Sequence, residues 1–227
     1  VEQAGEAVLE LLEAQGVAVQ FPAAQTCCGQ PAYNAGFRAE ARDLARRFLE
    51  VFEASPAPIV CPSGSCAAMI RHGYPDLFAD EPEWLARAES LAARTYEFTE
   101  YLVDVLGVTD VGAHCNWTLA YHPSCHLTRG LGVSRQPRQL LAAVQGATLA
   151  ELPAADECCG FGGLFAVKHA DISGEMLARK MDAIRHSGAQ VIVGCDVSCL
   201  MHLQGGLRRA GEQTRCVHIA QVLANRA

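Results

Sequence analysis

Residues Pro22-Ala23-Ala24-Gln25-Thr26-Cys27-Cys28-Gly29 return 131 positions later as Pro153-Ala154-Ala155-Asp156-Glu157-Cys158-Cys159-Gly160. Pro58-Ile59-Val60-Cys61-Pro62-Ser63-Gly64-Ser65-Cys66 matches Val191-Ile192-Val193-Gly194-Cys195-Asp196-Val197-Ser198-Cys199 at an offset of 133. Offsets this close mean that a duplication runs through the chain, so it must fold as two related units. Phe98-Thr99-Glu100-Tyr101-Leu102 matches Ile219-Ala220-Gln221-Val222-Leu223 at offset 121, which leaves about a dozen extra residues in the first copy between Cys66 and Phe98. The Pro82 in that insert, flanked by acids, reads as a helix start. The copies are bounded as residues 1–113 and 114–227.

Each copy repeats one order of elements. A helix opens it, with Val8, Leu9, Leu11 and Leu12 in the first copy and Leu140, Leu141 and Val144 in the second. A short apolar strand is expected at Val17–Phe21 and around Thr148–Leu152. The Cys-Cys-Gly loop follows, then a helix carrying Leu44, Phe48, Val51 and Phe52, or Leu177, Met181 and Ile184, on one face. Next comes a buried strand, Pro58–Val60 or Val191–Val193, then a second cysteine loop and a further helix. Strands alternating with helices predict an α/β fold: two tandem pseudo-repeats, each a small, mainly parallel sheet flanked by helices. The cysteine loops should lie at the carboxyl ends of the strands, where ligands sit in such folds. The second copy also has a strand, Thr118–His122, ending in a loop with Cys125. Its first-copy equivalent would lie about half a dozen residues before Val1, so a strand and a cysteine of the first repeat are expected outside these 227 residues.

Eleven cysteines in 227 residues fall short of the roughly 8–10 % of a disulfide scaffold. Half the chain is hydrophobic, enough for a core that needs no staples. Metal or redox chemistry in a reducing, cytoplasmic compartment is the expectation. A net charge of −7 argues against a nucleic-acid surface. No apolar run approaches the ~18–20 residues of a membrane span, and the first residues carry no signal-peptide pattern. Cys125, Cys158, Cys159, Cys195 and Cys199 lie on three separated loops of the second copy; Cys27, Cys28, Cys61 and Cys66 lie in the first. Thiolates on converging loops suit iron–sulfur clusters or zinc. Cys66 and Cys199 precede helical runs whose free N–H groups favour a thiolate. Cys115 and Cys216, outside both motifs, read as small buried hydrophobes. His122 and His126 flank Cys125 and could bond a cluster sulfur, replace a thiolate or have no such role. Lys168, His169 and Glu175 follow the second Cys-Cys-Gly and could hydrogen-bond near a cluster, face a partner or form a solvated helix surface. Gly160-Phe161-Gly162-Gly163 is not a dinucleotide fingerprint.

The pattern Cys-x32-Cys-Cys-Gly-x34-Cys-x3-Cys of residues 125–199 resembles the cysteine-rich CCG domain of heterodisulfide reductases and glycolate-oxidase iron–sulfur proteins. The whole chain resembles the lactate-utilisation protein A family most closely, through Thr26-Cys27-Cys28-Gly29-Gln30-Pro31-Ala32, Pro62-Ser63-Gly64-Ser65-Cys66, Tyr121-His122-Pro123-Ser124-Cys125, Cys158-Cys159-Gly160-Phe161-Gly162-Gly163 and Ser173-Gly174-Glu175-Met176. The resemblance implies an iron–sulfur electron-transfer subunit of a lactate or glycolate oxidation complex, working with other subunits. It implies up to two clusters, of [4Fe-4S] type. Cys125, Cys158, Cys159 and Cys199 would hold one, with Cys195 as a fifth ligand. Cys27, Cys28 and Cys66, with Cys61 as an extra, would hold the other. A heterodisulfide-reductase-like thiol–disulfide subunit and a zinc-stabilised module are the alternatives.

Overall fold

The computed structural model describes residues 2–226. The first repeat opens with α1 (Glu2–Ala14), followed by α2 (Gln30–Asn34), α3 (Arg38–Phe52), β1 (Ile59–Cys61) and α4 (Gly64–Ala68). A π-helical turn, Met69–Gly73, leads into α5 (Tyr74–Leu77). Then come α6 (Pro82–Ala92), β2 (Thr95–Glu97) and the one-turn α7 (Phe98–Glu100), which runs into a second π turn, Tyr101–Val105. The second repeat follows with β3 (Thr118–His122), a π turn at His126–Gly130, α8 (Arg135–Ala142), β4 (Thr148–Ala150) and α9 (Phe165–Lys168). It closes with α10 (Ala170–Ser187), β5 (Val191–Gly194), α11 (Val197–Arg209), β6 (Arg215–His218) and α12 (Ile219–Leu223).

All strand pairs are parallel. The second repeat forms a four-stranded sheet in the order β4-β3-β5-β6, and the first a two-stranded sheet, β1-β2. The α/β expectation holds. The expected strand at Val17–Phe21 does not form; those residues are irregular and mostly exposed. Its counterpart β4 hydrogen-bonds only to β3, and no described residue of the first repeat supplies a β3 equivalent. A strand without a ladder partner leaves its N–H and C=O groups to water. The short edge strands β2 and β6 were not expected, because their mixed, three- and four-residue runs carry no periodicity.

The insert folds as α6, with Pro82 in its first turn. It packs Trp84, Leu85, Ala88 and Leu91 into an apolar cluster with Phe48 and Leu49 of α3, Tyr74 and Leu77 of α5, and Phe78 just after it. Arg46 of α3 reaches across to Glu81 at 2.6 Å.

The repeats exchange helices. Helix α1 packs on α12, the last helix of the other repeat, and α8 packs on α7, the corresponding helix of the first. Ala7, Val8, Leu11 and Leu12 thus share one core with Leu102, Leu119, Leu140, Val193, Val222 and Leu223. That shared core holds the carboxyl ends of the two sheets, and with them the cysteine loops, against each other. Among the described residues no helix is long and apolar enough to cross a membrane.

Candidate metal centres

In each repeat the Cys-Cys-Gly loop turns through a glycine with positive φ, +82° at Gly29 and +89° at Gly160. The glycine N–H then donates back to the first cysteine of the pair, Gly29 to Cys27 Sγ at 3.5 Å and Gly160 to Cys158 Sγ at 3.4 Å. The second cysteine of each pair, Cys28 or Cys159, turns inward and is buried. Gly160 is also squeezed by α10: a Cβ there would lie 2.8 Å from the Ser173 carbonyl oxygen and 2.9 Å from Met176 Cβ. Ser173 Oγ donates to the Gly160 carbonyl at 2.8 Å, so helix and loop are fastened together.

The later cysteines arrive on helix first turns. Ser63 caps α4 and accepts from the Cys66 N–H; Asp196, its counterpart, caps α11 and accepts from the Ser198 N–H. In the first repeat, Cys28 and Cys61 both neighbour Cys66. Hydrogen bonding from those two, with Ser63 and Ser65 behind them, holds the Cys66 thiol well below its usual pKa; donating to Cys66, and burial after that, push Cys28 and Cys61 up. Cys27 is exposed beside them. In the second repeat, Cys158 is lowered because Cys125 and then Cys159 hydrogen-bond to it. Cys125 and Cys159 are raised, and Cys159 also reaches Cys199. The structure therefore brings Cys28, Cys61 and Cys66 together, and Cys125, Cys158, Cys159 and Cys199 together.

Cys195 is placed elsewhere. Along β5 and its extension, Val191, Val193 and Cys195 face the shared core, while Ile192 faces the cluster that holds Cys159 and Cys199. The Cys195 sulfur meets the Tyr121 hydroxyl at 3.7 Å, and burial pushes its thiol pKa up. His122, by contrast, is buried on the cysteine side: one of its ring nitrogens and the sulfurs of Cys159 and Cys199 lie within 4.8 Å of one another. Burial lowers its pKa to about 4. Among the described residues, neither ring nitrogen has a hydrogen-bond partner.

Two polar groups here, Asp196 and Lys180, were not singled out from sequence. Asp196 ties the two centres together: one carboxylate oxygen accepts from Ser198 of its own helix, the other from the Ser65 N–H at 3.0 Å and Ser63 Oγ at 3.3 Å in the other repeat. Lys180 is buried, and its Nζ donates to the Ala154 carbonyl at 2.6 Å, beneath the loop that leads to Cys158. Its position in an otherwise apolar stripe, Leu177–Met181–Ile184, was a readable signal. His126 bridges the repeats through Gln30 at 3.1 Å. Lys168, His169 and Glu175 lie on the exposed surface; Cys115 packs against the shared core, and Cys216 against the apolar cluster that also contains Cys159 and Cys199.

The sequence pattern of the family described as "Cysteine-rich domain" (CCG) matches residues 1–71 and 119–204. "Lactate utilization protein A" of Macrococcus caseolyticus is 50% identical over 224 residues, 99% of this chain and 91% of the relative. The chain belongs to the lactate utilization protein A family. The Exiguobacterium protein of that family is 50% identical over 220 residues, 96% of this chain and 89% of its own length. The Bacillus subtilis protein is 47% identical over 222 residues, 98% of this chain and 92% of its own length. The family match covers both Cys-Cys-Gly loops and the helix first turns that bear Cys66 and Cys199.

The donor chemistry fits a thiophilic metal group. Several thiols converge at each centre and one of them loses its proton readily, which metal ligation requires. At the second centre the buried His122 imidazole, with two unpartnered nitrogens, lies beside Cys159 and Cys199.

Proposed function

We propose that this chain is an iron–sulfur electron-transfer subunit of a system that oxidises L-lactate to pyruvate. The observation that carries the reading is the paired convergence of thiols, Cys28, Cys61 and Cys66 beside Cys27, and Cys125, Cys158, Cys159 and Cys199. The relatives' names supply the lactate part. Lactate oxidation releases two electrons and two protons. The sequence carries no flavin or nicotinamide motif, so substrate chemistry falls to partner subunits in the same cytoplasmic complex and this chain relays electrons.

Bound iron–sulfur clusters, one per centre and of [4Fe-4S] type, supply one-electron carriers whose potential follows charge, hydrogen bonding and exposure. The chain's own residues set those factors. Gly29 and Gly160 N–H groups draw charge from the Cys27 and Cys158 sulfurs. Buried Cys28 and Cys159 close the inner side to water, while exposed Cys27 leaves an outer side open to a partner. Asp196 fixes the distance between the centres by holding both helix first turns.

Zinc is the second reading, favoured by the mixed nitrogen and sulfur set of His122, Cys159 and Cys199. The test is anaerobic reconstitution of the full-length protein with iron and sulfide, followed by iron, acid-labile sulfide and zinc analysis and electron paramagnetic resonance. About four irons per occupied centre, matched by sulfide, with a signal that appears on reduction, is the expected result. Persistent zinc with no stable iron overturns the electron-transfer reading.

A further inference from the structure

The geometry points to His122 as a nitrogen donor to the metal of the second centre, in the fifth position that the sequence offered to Cys195. Three independent observations carry this. The first is an unmet bond. His122 is almost fully buried, at 2 % exposure, and neither of its ring nitrogens has a partner. A buried imidazole that bonds nothing is costly, so a nitrogen within 4.8 Å of the Cys159 and Cys199 sulfurs is best explained by a metal between them.

The second is strand parity. Side chains alternate across a sheet. Ala120 of β3 and Ile192 of β5 face the cluster with Cys159 and Cys199, and His122 follows Ala120 on that face. Cys195 follows Val191 and Val193 on the opposite one. The ladder with β3 and β6 ends at Gly194, and just past it Cys195 packs into the shared core against Tyr121, not into the cluster that holds Cys159 and Cys199.

The third is the duplication itself. Cys61, the fifth donor candidate of the first centre, aligns with Gly194 and not with Cys195. Gly194 brings no side chain, and its register partner on β3 is His122. Each repeat therefore sends one donor from the end of its sheet toward the Cys-Cys pair, a thiol from β1 in one and an imidazole from β3 in the other. An imidazole in place of a thiolate removes one negative charge from the centre, which raises its reduction potential.

The inference rests on residues 122–199 forming a metal centre, not on which metal fills it. The experiment uses full-length protein, loaded anaerobically with iron and sulfide, with either natural-abundance or 15N-labelled histidine. Pulsed electron paramagnetic resonance of the reduced sample should show a histidine nitrogen coupling that changes isotope with the label. It should survive in Cys195→Ser and His126→Ala and disappear in His122→Cys, which keeps its iron and shifts to a lower potential. No histidine coupling in the wild type, or a coupling that persists in His122→Cys, overturns the inference.

Failure of the iron–sulfur reading is read separately, because wild-type protein would then take up no iron and sulfide. In that event cobalt(II) is the probe. The thiolate-to-cobalt absorption should be stronger in His122→Cys than in the wild type, and equal intensities would overturn the assignment of His122.

Discussion

Gly160 shows how much a single residue decides here. Its φ of +89° lies in the region that favours glycine, and a Cβ would press on both the backbone and a side chain of α10. At Gly29 the φ is similar, but the nearest atom to such a Cβ is Leu44 Cβ at 3.3 Å, a contact that small shifts relieve. Gly160→Ala should therefore cost more than the about 1–3 kcal/mol of backbone strain alone, and Gly29→Ala about that strain. Denaturant unfolding of the two metal-free variants checks the ranking, and metal analysis should show the second centre emptied by Gly160→Ala. The Cys-Cys-Gly motif was plain in the sequence. The inequality between its two copies was not, because it depends on how closely α10 and α3 approach the loops.

At the scale of elements, the two repeats cap their last helices with different chemistry at the same place. Glu97 ends β2 and caps α7; His218 ends β6 and caps α12; each belongs to a reciprocal capping box and each is buried. Burial raises the Glu97 carboxyl to about 7 and lowers the His218 imidazole to about 4. Below its unfolded value of 4.5, Glu97 is protonated in both states. As pH climbs from there to about 7, the unfolded chain releases that proton and the folded chain keeps it, so this group's stabilisation is lost. His218 acts in the opposite sense, losing stability as pH falls from 6.5 toward about 4. Glu97→Gln should remove the first effect. Relative to the variant, the metal-free wild type should lose up to about 3 kcal/mol between pH 4.5 and 7, at ~1.4 kcal/mol per unit of pKa shift. Thermal melts of both proteins across that range test it; parallel curves would refute it. The capping pairs Glu97/Glu100 and His218/Gln221 stood in the sequence at matched offsets. Their burial could not be read there, since it comes from packing between repeats.

On the scale of the whole molecule, the exchange of α1 and α8 between repeats should make the two unfold as one unit. Leu12 on α1 and Leu102 just beyond α7 are buried in one core although they lie in the same half of the sequence. Leu12 lies on α1, which packs on α12, and Leu102 shares its core cluster with Leu119, Leu140 and Val193 of the other repeat. Leu12→Ala and Leu102→Ala should each cost about 2–5 kcal/mol. Both should shift a single unfolding transition, seen alike by far-ultraviolet circular dichroism and by tyrosine and tryptophan fluorescence. Two separated transitions, only one of them moved, would show that the repeats unfold apart. Asp196 belongs to this scale as well, since one carboxylate reaches the first turns of helices from both repeats.

The sequence by itself determined the duplication, the α/β alternation and the cysteines that could serve as ligands, because repeats and strand–helix periodicity are properties of the linear order. It also predicted a strand at Val17–Phe21, where local apolar character was not enough without a neighbour to bond. Tertiary structure decided which donors meet. Cys61 and Cys195 looked alike in spacing, yet one extra position moves Cys195 to the other face of its strand, against Tyr121. His122 then faces Cys159 and Cys199 from the end of β3. Side-chain direction follows strand parity and register, and register is fixed only when the strands pair.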